Sequence, residues 1–254
     1  MLKHVICATA VAYATAVTSV SAAQIKLVQD EAYAPYMGVE YGQATGIWAD
    51  FIAEALTRVD GDYDVVVEAL PWSRAVNLVE TGQAHGLVGT YFRPDSRPWL
   101  GTYSTSPVIE KVSVYCREGV AQSDWAYPDD FAGLTFGNNA GFGSPGKAFF
   151  EMVDAGSITL QEAQTTEQNL KKLEKGRIDC YVQEQLAAEM VINEKGIAGV
   201  VRVLDTSAEA AHIGFRADWQ DEESQKFIAD FNAALQSMMD DGTVAEIVSR
   251  TVGG

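Results

Sequence analysis

Short apolar or β-branched runs alternate with amphipathic segments along most of the chain, and this alternation limits the folds available to it. The runs at 64–70 (DVVVEAL) and 85–91 (HGLVGTY) have the character of strands, whereas apolar residues between 47 and 59 recur at helical spacing. Pro71 suits the first turn of a second helix, which we expect to end at Gly82. Strands alternating with helices predict a parallel or mixed α/β sheet.

A second α/β series follows an interruption, which predicts two domains. The alternation stops between 92 and 107, and the strand KVSVYCR then leads into the acidic, aromatic stretch SDWAYPDD. The series resumes at LTFGNN, with one helix expected to begin near Ser144 and Pro145 and another capped by Thr165 or Thr166. A chain of 254 residues has room for two small domains.

The first residues have the layout of an export signal. Lys3 and His4 precede an apolar stretch at 5–20 without acidic side chains, and the small residues 21–23 suit a signal peptidase. A membrane anchor is the alternative, but several hydroxyl residues dilute the stretch, which is short for a bilayer span. We therefore expect cleavage after residue 23 and a periplasmic protein.

The composition disfavours some partners. The formal net charge is −17, so nucleic acid and anionic membrane surfaces are poor candidates. His85 and His212 are too isolated to predict a metal site, and no phosphate-binding glycine loop or hydrolase motif is present. We expect neither a metal nor a cofactor.

Two cysteines remain after removal of the signal. Cys7 precedes the apolar stretch rather than following it, so lipid attachment there is not expected. Cys116 and Cys180 would lie in a compartment that permits disulfides, but spacing alone does not place their Cα atoms. We favour two buried free thiols over a bridge.

Seven short motifs in a fixed order carry a family resemblance. They are YAPYMG, GIWADFIAEAL, PWSRAVNLVETGQAHG, RPDSRPWLGTYSTSP, GLTFGNNAGFGSPG, TTEQNLKKLEKGRIDCYVQEQLAA and HIGFRAD with the closing helix. The chain resembles the family 3 extracellular solute-binding proteins of ABC importers, in the branch with Trp-x-Arg-Ala on its second helix.

The resemblance implies an α/β periplasmic-binding-protein type II fold. Two lobes are then joined by two crossing hinge strands, and the ligand is enclosed between them. Lobe 1 would comprise 24–115 and 208–254, with the C-terminal helices returning to it, and lobe 2 would comprise 116–207.

The same resemblance assigns a carboxylate site to lobe 1. Arg97 falls where the family commonly holds the ligand carboxylate, and a guanidinium offers paired donors for its two oxygens. Gly89 and Thr90 would add a backbone amide and a hydroxyl, unless they are an ordinary strand end. Arg93 is the competing arginine, with Asp95 as its expected partner.

Aromatic residues are the next candidates in lobe 1. Tyr33 and Tyr36 would stack on the ligand or floor its pocket, with lobe packing as the alternative. Trp72 and Arg74 would line the cleft, although the spacing of Trp72 with Val76 suits a core position equally well.

Lobe 2 supplies candidates from two segments. Asn139, Gly141 and Phe142 belong to a loop before a helix whose exposed N–H groups could bind an anion, though Asn-Asn-Ala-Gly is also ordinary turn chemistry. Glu184 stands where amino-acid binders of the family carry an Asp that pairs with the ligand ammonium. It could instead only suit the start of its helix.

These features predict a monomeric receptor that binds a small polar amino acid or related carboxylate and delivers it to an ABC permease. Catalysis is not required for that function. Two alternatives use the same fold. One is an enzyme resembling cyclohexadienyl dehydratase, with Glu184 as general acid, and the other is a ligand-sensing module.

Overall fold

The computed structural model describes residues 24–253, so the expected export signal at 1–23 lies outside the described residues. Within that range, the strands are β1 (Ile25–Asp30), β2 (Ala32–Tyr33), β3 (Met37–Glu40), β4 (Gln43–Thr45), β5 (Val65–Leu70), β6 (Gly86–Tyr91), β7 (Leu100–Tyr103), β8 (Val108–Arg117), β9 (Thr135–Asn139), β10 (Thr159–Ala163), β11 (Cys180–Glu184) and β12 (Val200–Arg216). The α-helices of the same range are α1 (Ile47–Arg58), α2 (Trp72–Glu80), α3 (Lys147–Asp154), α4 (Thr166–Glu174), α5 (Gln185–Lys195), α6 (Glu222–Asp240) and α7 (Thr243–Val252).

One mixed sheet runs through the molecule and confirms the α/β prediction. Its order is β10-β9-β11-β8-β12-β6-β1-β5, and β7 pairs with β12 at the side. Strands β6, β1 and β5 are parallel to one another, as are β10, β9 and β11. Two parallel groups are therefore joined through the antiparallel pair β8 and β12.

The two joining strands are the long ones of this sheet. β12 has 17 residues and β8 has 10, and the pairing extends from Val200 opposite Arg117 to Ala211 opposite Val108. The register shifts twice along β12, between Arg202 and Leu204 and between Asp205 and Ser207. We call residues 24–107 and 217–253 the first half, and 118–199 the second half. The lobe boundaries expected from the sequence fall inside these two strands.

A small second sheet follows β1 in the chain. Strands β2, β3 and β4 form an antiparallel meander. Gln29 at the end of β1 donates from its amide to the carbonyls of Gly38 and Thr45, so the main sheet holds the meander in place.

The C-terminal helices pack on the first half. α6 and α7 both contact α1. The Tyr63 hydroxyl donates to Asp230 of α6 at 2.6 Å, and Arg58 of α1 pairs with Asp241 at 2.6 Å. β12 thus returns the chain to its starting half.

Helix α3 begins later than the sequence suggested. Its first residue is Lys147, preceded by Gly146 at φ 83°, whereas we expected a start near Ser144 and Pro145. A start at 144–145 would carry the helix through Gly146, and an α-helix does not accommodate its positive φ.

The expectation of two free thiols is wrong. Cys116 and Cys180 form a disulfide with a Cα–Cα distance of 4.0 Å. They are paired residues on the antiparallel strands β8 and β11, a proximity that depends on strand register and not on spacing in the chain.

No helix between residues 24 and 253 combines the length and apolar character needed to cross a bilayer. Over the same residues, no group of three or more His, Cys, Asp or Glu side chains is arranged to hold a metal ion.

Removal of the disulfide should destabilise the fold, because it closes a loop with a sequence separation of 64. We expect the double variant Cys116→Ala, Cys180→Ala to lose about 2 to 4 kcal/mol of unfolding free energy in urea titrations. The wild type in reducing agent is the control and should lose a similar amount. Equal midpoints for the oxidised wild type and the double variant would contradict this view.

Candidate functional site

A small cavity lies where the two halves meet. Its lining residues are Tyr33, Met37, Trp72, Gly89, Thr90, Tyr91, Arg97, Glu110, Phe142, Gly143 and Ser144. Six of the eleven residues predicted for ligand binding are among them, and they come from both halves. The cavity is therefore the candidate functional site.

Arg97 is the only cation among these lining residues, and it is almost completely buried, with 8% of its surface exposed. Its Nη1 donates to Thr90 Oγ1 at 2.5 Å, and the guanidinium lies 5.3 Å from the Trp72 ring centre. Among residues 24–253 no carboxylate lies within ion-pair distance of it. Burial lowers the pKa of Arg97 to about 10, which is the electrostatic effect of a desolvated charge without an anion.

Arg93, the competing arginine, is neutralised. Its two terminal nitrogens donate to both carboxylate oxygens of Glu209 on β12, at 2.9 and 3.1 Å. The prediction that Arg93 pairs with Asp95 is wrong. Strand β12 places Glu209 beside β6, and a single sequence does not show that these two strands are neighbours.

Gly89 and Thr90, near the end of β6, line the cavity. Gly89 has φ 73°, and a Cβ atom there would lie 2.6 Å from the Met37 methyl carbon. Only glycine satisfies both the backbone conformation and the close approach. The Thr90 hydroxyl donates to the Tyr91 carbonyl and accepts from Arg97.

The loop at 139–142 closes the cavity from the second half. Phe142 packs edge-on against Tyr33 and Trp72, with ring centres 5.4 and 5.5 Å apart. The Gly141 carbonyl accepts from Trp72 Nε1 at 3.0 Å and from Arg97 Nη2 at 3.4 Å. Trp72 is both a member of the hydrophobic core and a lining residue of the cavity. The Gly141 N–H is engaged by Glu162.

Asn139 lies in a buried polar network of the second half. Its Oδ1 accepts from Asn169 and from the Tyr181 hydroxyl, both at 2.9 Å, and its Nδ2 donates to Thr166 at 3.4 Å. Gln183 donates to Thr166 and Tyr181 in the same network. These contacts position the loop, while Asn139 itself does not line the cavity.

Glu184 and Tyr36 are both buried, and neither lines the cavity. Glu184 ends β11 and caps α5, because its Oε2 accepts from the Ala187 N–H at 2.8 Å. Tyr36 stacks on Tyr33 at 5.4 Å. Burial raises the pKa of Glu184, and the Ala187 and Leu186 N–H groups and the Tyr36 hydroxyl oppose that shift.

Arg74 is exposed on α2 and does not line the cavity. The helix turns Trp72 and Ala75 inward, and Arg74 lies between them on the opposite face.

Glu110 is a cavity residue that the sequence reasoning missed. It is completely buried, and its Oε2 accepts from the hydroxyls of Tyr33 at 2.7 Å and Tyr91 at 2.6 Å. Burial raises the pKa of Glu110 to about 8. The sequence contains a pattern that could have identified Glu110. Ile109 and Lys111 are exposed while Glu110 and Val112 are buried, so the alternation of a β-strand places this acid inside.

Asp30, at the end of β1, is a second missed acid. Its Oδ1 accepts from the Ala32 N–H at 2.9 Å, whereas Oδ2 is buried and has no partner among the described residues. Burial raises the pKa of Asp30 to about 7. The pKa of Tyr181, in the second half, is raised mainly by its burial and to a lesser extent by the charge of Asp30 in the first half.

The cavity is small in this arrangement. Its volume is about 30 Å³, whereas a groove of about 730 Å³ lies beside it and shares Arg97, Phe142 and Gly143. Ligand pockets usually measure roughly 300 to 1,000 Å³. The site thus combines a cation without a carboxylate partner, one carboxylate bound by two tyrosines and aromatic walls, beside the larger groove.

A family model for bacterial extracellular solute-binding proteins, family 3, matches residues 25–254. The chain belongs to this family. The resemblance identified from the seven motifs is confirmed over almost the whole length, while its Trp-x-Arg-Ala branch stays a prediction. No curated protein sequence matches the chain.

Several solved structures share the fold. A histidine kinase sensor domain with similarity to periplasmic binding proteins has a TM-score of 0.74 and 17% identity, with 91% of this chain and 97% of that chain covered. An ancestral arginine-binding protein bound to arginine has a TM-score of 0.73 at 18% identity, covering 89% and 97%. AncCDT-1, an ancestral amino acid-binding protein and precursor of cyclohexadienyl dehydratase, has 0.69 at 15%, covering 90% and 95%. At these identities the similarity concerns the fold alone.

Gly89→Ala should destabilise the protein through two effects, a positive φ and a clash with Met37. Gly119→Ala is the matched control, because Gly119 has φ 78° and no atom within 4 Å of the added Cβ. We expect Gly89→Ala to cost at least about 1 kcal/mol more than the control in chemical denaturation. Equal costs would show that Met37 moves aside freely.

Ionisation of Glu110 should destabilise the ligand-free fold. Its pKa is raised from 4.5 to about 8, so the stability it contributes is complete below pH 4.5 and lost as the pH rises through about 8. Glu110→Gln has no proton to lose at that position. We expect its unfolding free energy to fall less than that of the wild type between about pH 5 and pH 9. Parallel curves would contradict the assignment.

Proposed function

We propose that this protein binds a small ligand carrying a carboxylate between its two halves, with Arg97 as the anion receptor. The observation that supports the proposal is a guanidinium that is buried in the cavity and has no carboxylate partner among the described residues. A buried charge is costly unless it is paired, and a ligand carboxylate provides the pairing. Thr90 and Gly89 supply further polar groups beside it.

Ligand entry requires the halves to separate. A cavity of about 30 Å³ is too small for an amino acid, and the contacts of Gly141 with Trp72 and Arg97 cross the site. Strands β8 and β12 connect the halves and are the proposed hinge. A ligand held by residues of both halves binds the closed arrangement more tightly, and so shifts the equilibrium toward it.

The biological role we propose is substrate capture for an ABC importer in the periplasm, by a monomer that passes its ligand to the permease. Family membership supports this role. The ligand class we favour is a small polar amino acid or a related carboxylate. Glu110 lines the cavity and supports a zwitterion over a simple acid, since a desolvated ammonium needs an anionic partner.

Binding rather than catalysis is favoured by the engagement of Glu184. Its carboxylate is held by backbone N–H groups of α5 and by Tyr36, which leaves it poorly disposed to act as a general acid. Turnover of prephenate or arogenate by the purified protein would contradict this view.

Arg97→Ala should remove ligand binding without unfolding the protein. A broken buried charge pair typically costs about 3 to 5 kcal/mol, which is a loss of about a hundredfold or more in affinity. A thermal-shift screen of amino acids, polyamines and organic acids on the wild type supplies the ligand, because the melting temperature rises with ligand concentration. Calorimetry then gives the affinities of the variants.

Arg93→Ala is the control for this experiment. Arg93 lies four residues earlier in the same loop but is already paired with Glu209, so its loss should leave the affinity within about threefold of wild type. Near-wild-type binding by Arg97→Ala would refute the anion-receptor assignment.

A further inference from the structure

Glu110 has a carboxylate oxygen that the protein does not use. Oε2 accepts both tyrosine hydroxyls, while Oε1 is buried and has no hydrogen-bond partner among residues 24–253. A buried polar atom left without a partner costs about 1 to 3 kcal/mol, and such atoms call for an explanation. Glu110 lines the same small cavity as Arg97, so a donor on a cavity ligand is the partner that fits.

The fold provides Glu110 with a fixed position for this purpose. It lies on the hinge strand β8, opposite Glu209 of β12, and Glu209 is neutralised by Arg93. Tyr33 from β2 and Tyr91 from β6 hold Oε2 from two sides. These contacts leave Oε1 as the free acceptor and restrict the side chain to one orientation.

Glu184 is less available. One of its oxygens accepts from the Ala187 N–H at 2.8 Å as the N-cap of α5, and the Leu186 N–H and the Tyr36 hydroxyl also act on the carboxylate. It is absent from the cavity lining, whereas Glu110 is present. Helix capping accounts for the contacts of Glu184, whereas the contacts of Glu110 leave its Oε1 without a partner.

We propose that Glu110, rather than Glu184, accepts the ammonium group of an α-amino acid whose carboxylate lies on Arg97. This inference rests on the proposed binding function and assigns the opposite end of the ligand. The cavity then pairs one cation with the ligand anion and one anion with the ligand cation, so the occupied site carries no net charge.

Binding by this arrangement releases a proton. Burial raises the pKa of Glu110 to about 8, so near pH 7 the ligand-free carboxyl is mostly protonated. The ammonium pairs with the carboxylate form, so the proton leaves Glu110 for solvent while the ligand keeps its own charge. Affinity should therefore increase with pH up to about 8 and then level off. The groups that face Glu110 from the surrounding elements are Tyr33, Tyr36, Tyr91, Glu184 and Glu209, with Arg97 in the same cavity.

Calorimetry on the purified protein tests this assignment. The probes are the L-α-amino acid among the twenty that most raises the wild-type melting temperature, and the analogue of it in which hydrogen replaces the α-amine. Titrations near pH 7 in phosphate and in Tris report proton release, because the two buffers differ in ionisation enthalpy. We expect the wild type to release about one proton per amino acid bound.

The variant Glu110→Gln should bind the amino acid about a hundredfold more weakly and release no proton. It should bind the amine-free analogue within about threefold of wild type. Glu184→Gln is the matched control: it should retain both the proton release and the preference for the amine. Proton release is measured on the wild type, so this part of the test remains valid even if one of the variants does not fold.

Three results would overturn the inference alone: wild-type binding without proton release, equal losses for both probes in Glu110→Gln in a protein that Arg97→Ala inactivates, or a wild type that binds organic acids but none of the twenty amino acids. A wild type that binds neither amino acids nor organic acids, or an Arg97→Ala variant that binds normally, would overturn the proposed function and this inference with it.

Discussion

The buried guanidinium of Arg97 is the constraint on which the rest of the site depends. An unpaired charge inside a protein is tolerated only when surrounding groups hold it, and here Thr90, the Trp72 ring and the Gly141 carbonyl do so from both halves. The cation therefore links two separate parts of the chain. It also gives the site a polarity that a ligand of opposite charge can satisfy.

Much of this arrangement could be predicted from local sequence. Pro71 and the apolar spacing after it predicted α2, and left Trp72 as a candidate for either the cleft or the core. The apolar run before Gly89 predicted β6, whose end carries Thr90 beside Arg97. Each of these features depends on residues close together in the chain, where periodicity and turn chemistry are informative.

The remaining features depend on contacts between distant segments, which a single sequence does not specify. The pairing of Cys116 with Cys180 and of Arg93 with Glu209 follows from strand register. Asn139 was a sound candidate by position, yet neighbours from α4 and β11 engage its side chain. Glu110 was overlooked because we started β8 one residue after it, although alternation along the strand would have placed this acid inside.

The two register shifts in β12 bear on how the halves could move. Each gives β12 one more residue than the facing stretch of β8, so that residues 202–207 of β12 lie opposite residues 112–115 of β8. A strand with such bulges curves more readily and gains local twist, while the flanking ladder bonds are kept. Bending concentrated at these bulges would rotate the second half about one axis across the sheet. The direction of that rotation would be set by the backbone and would not depend on which ligand binds.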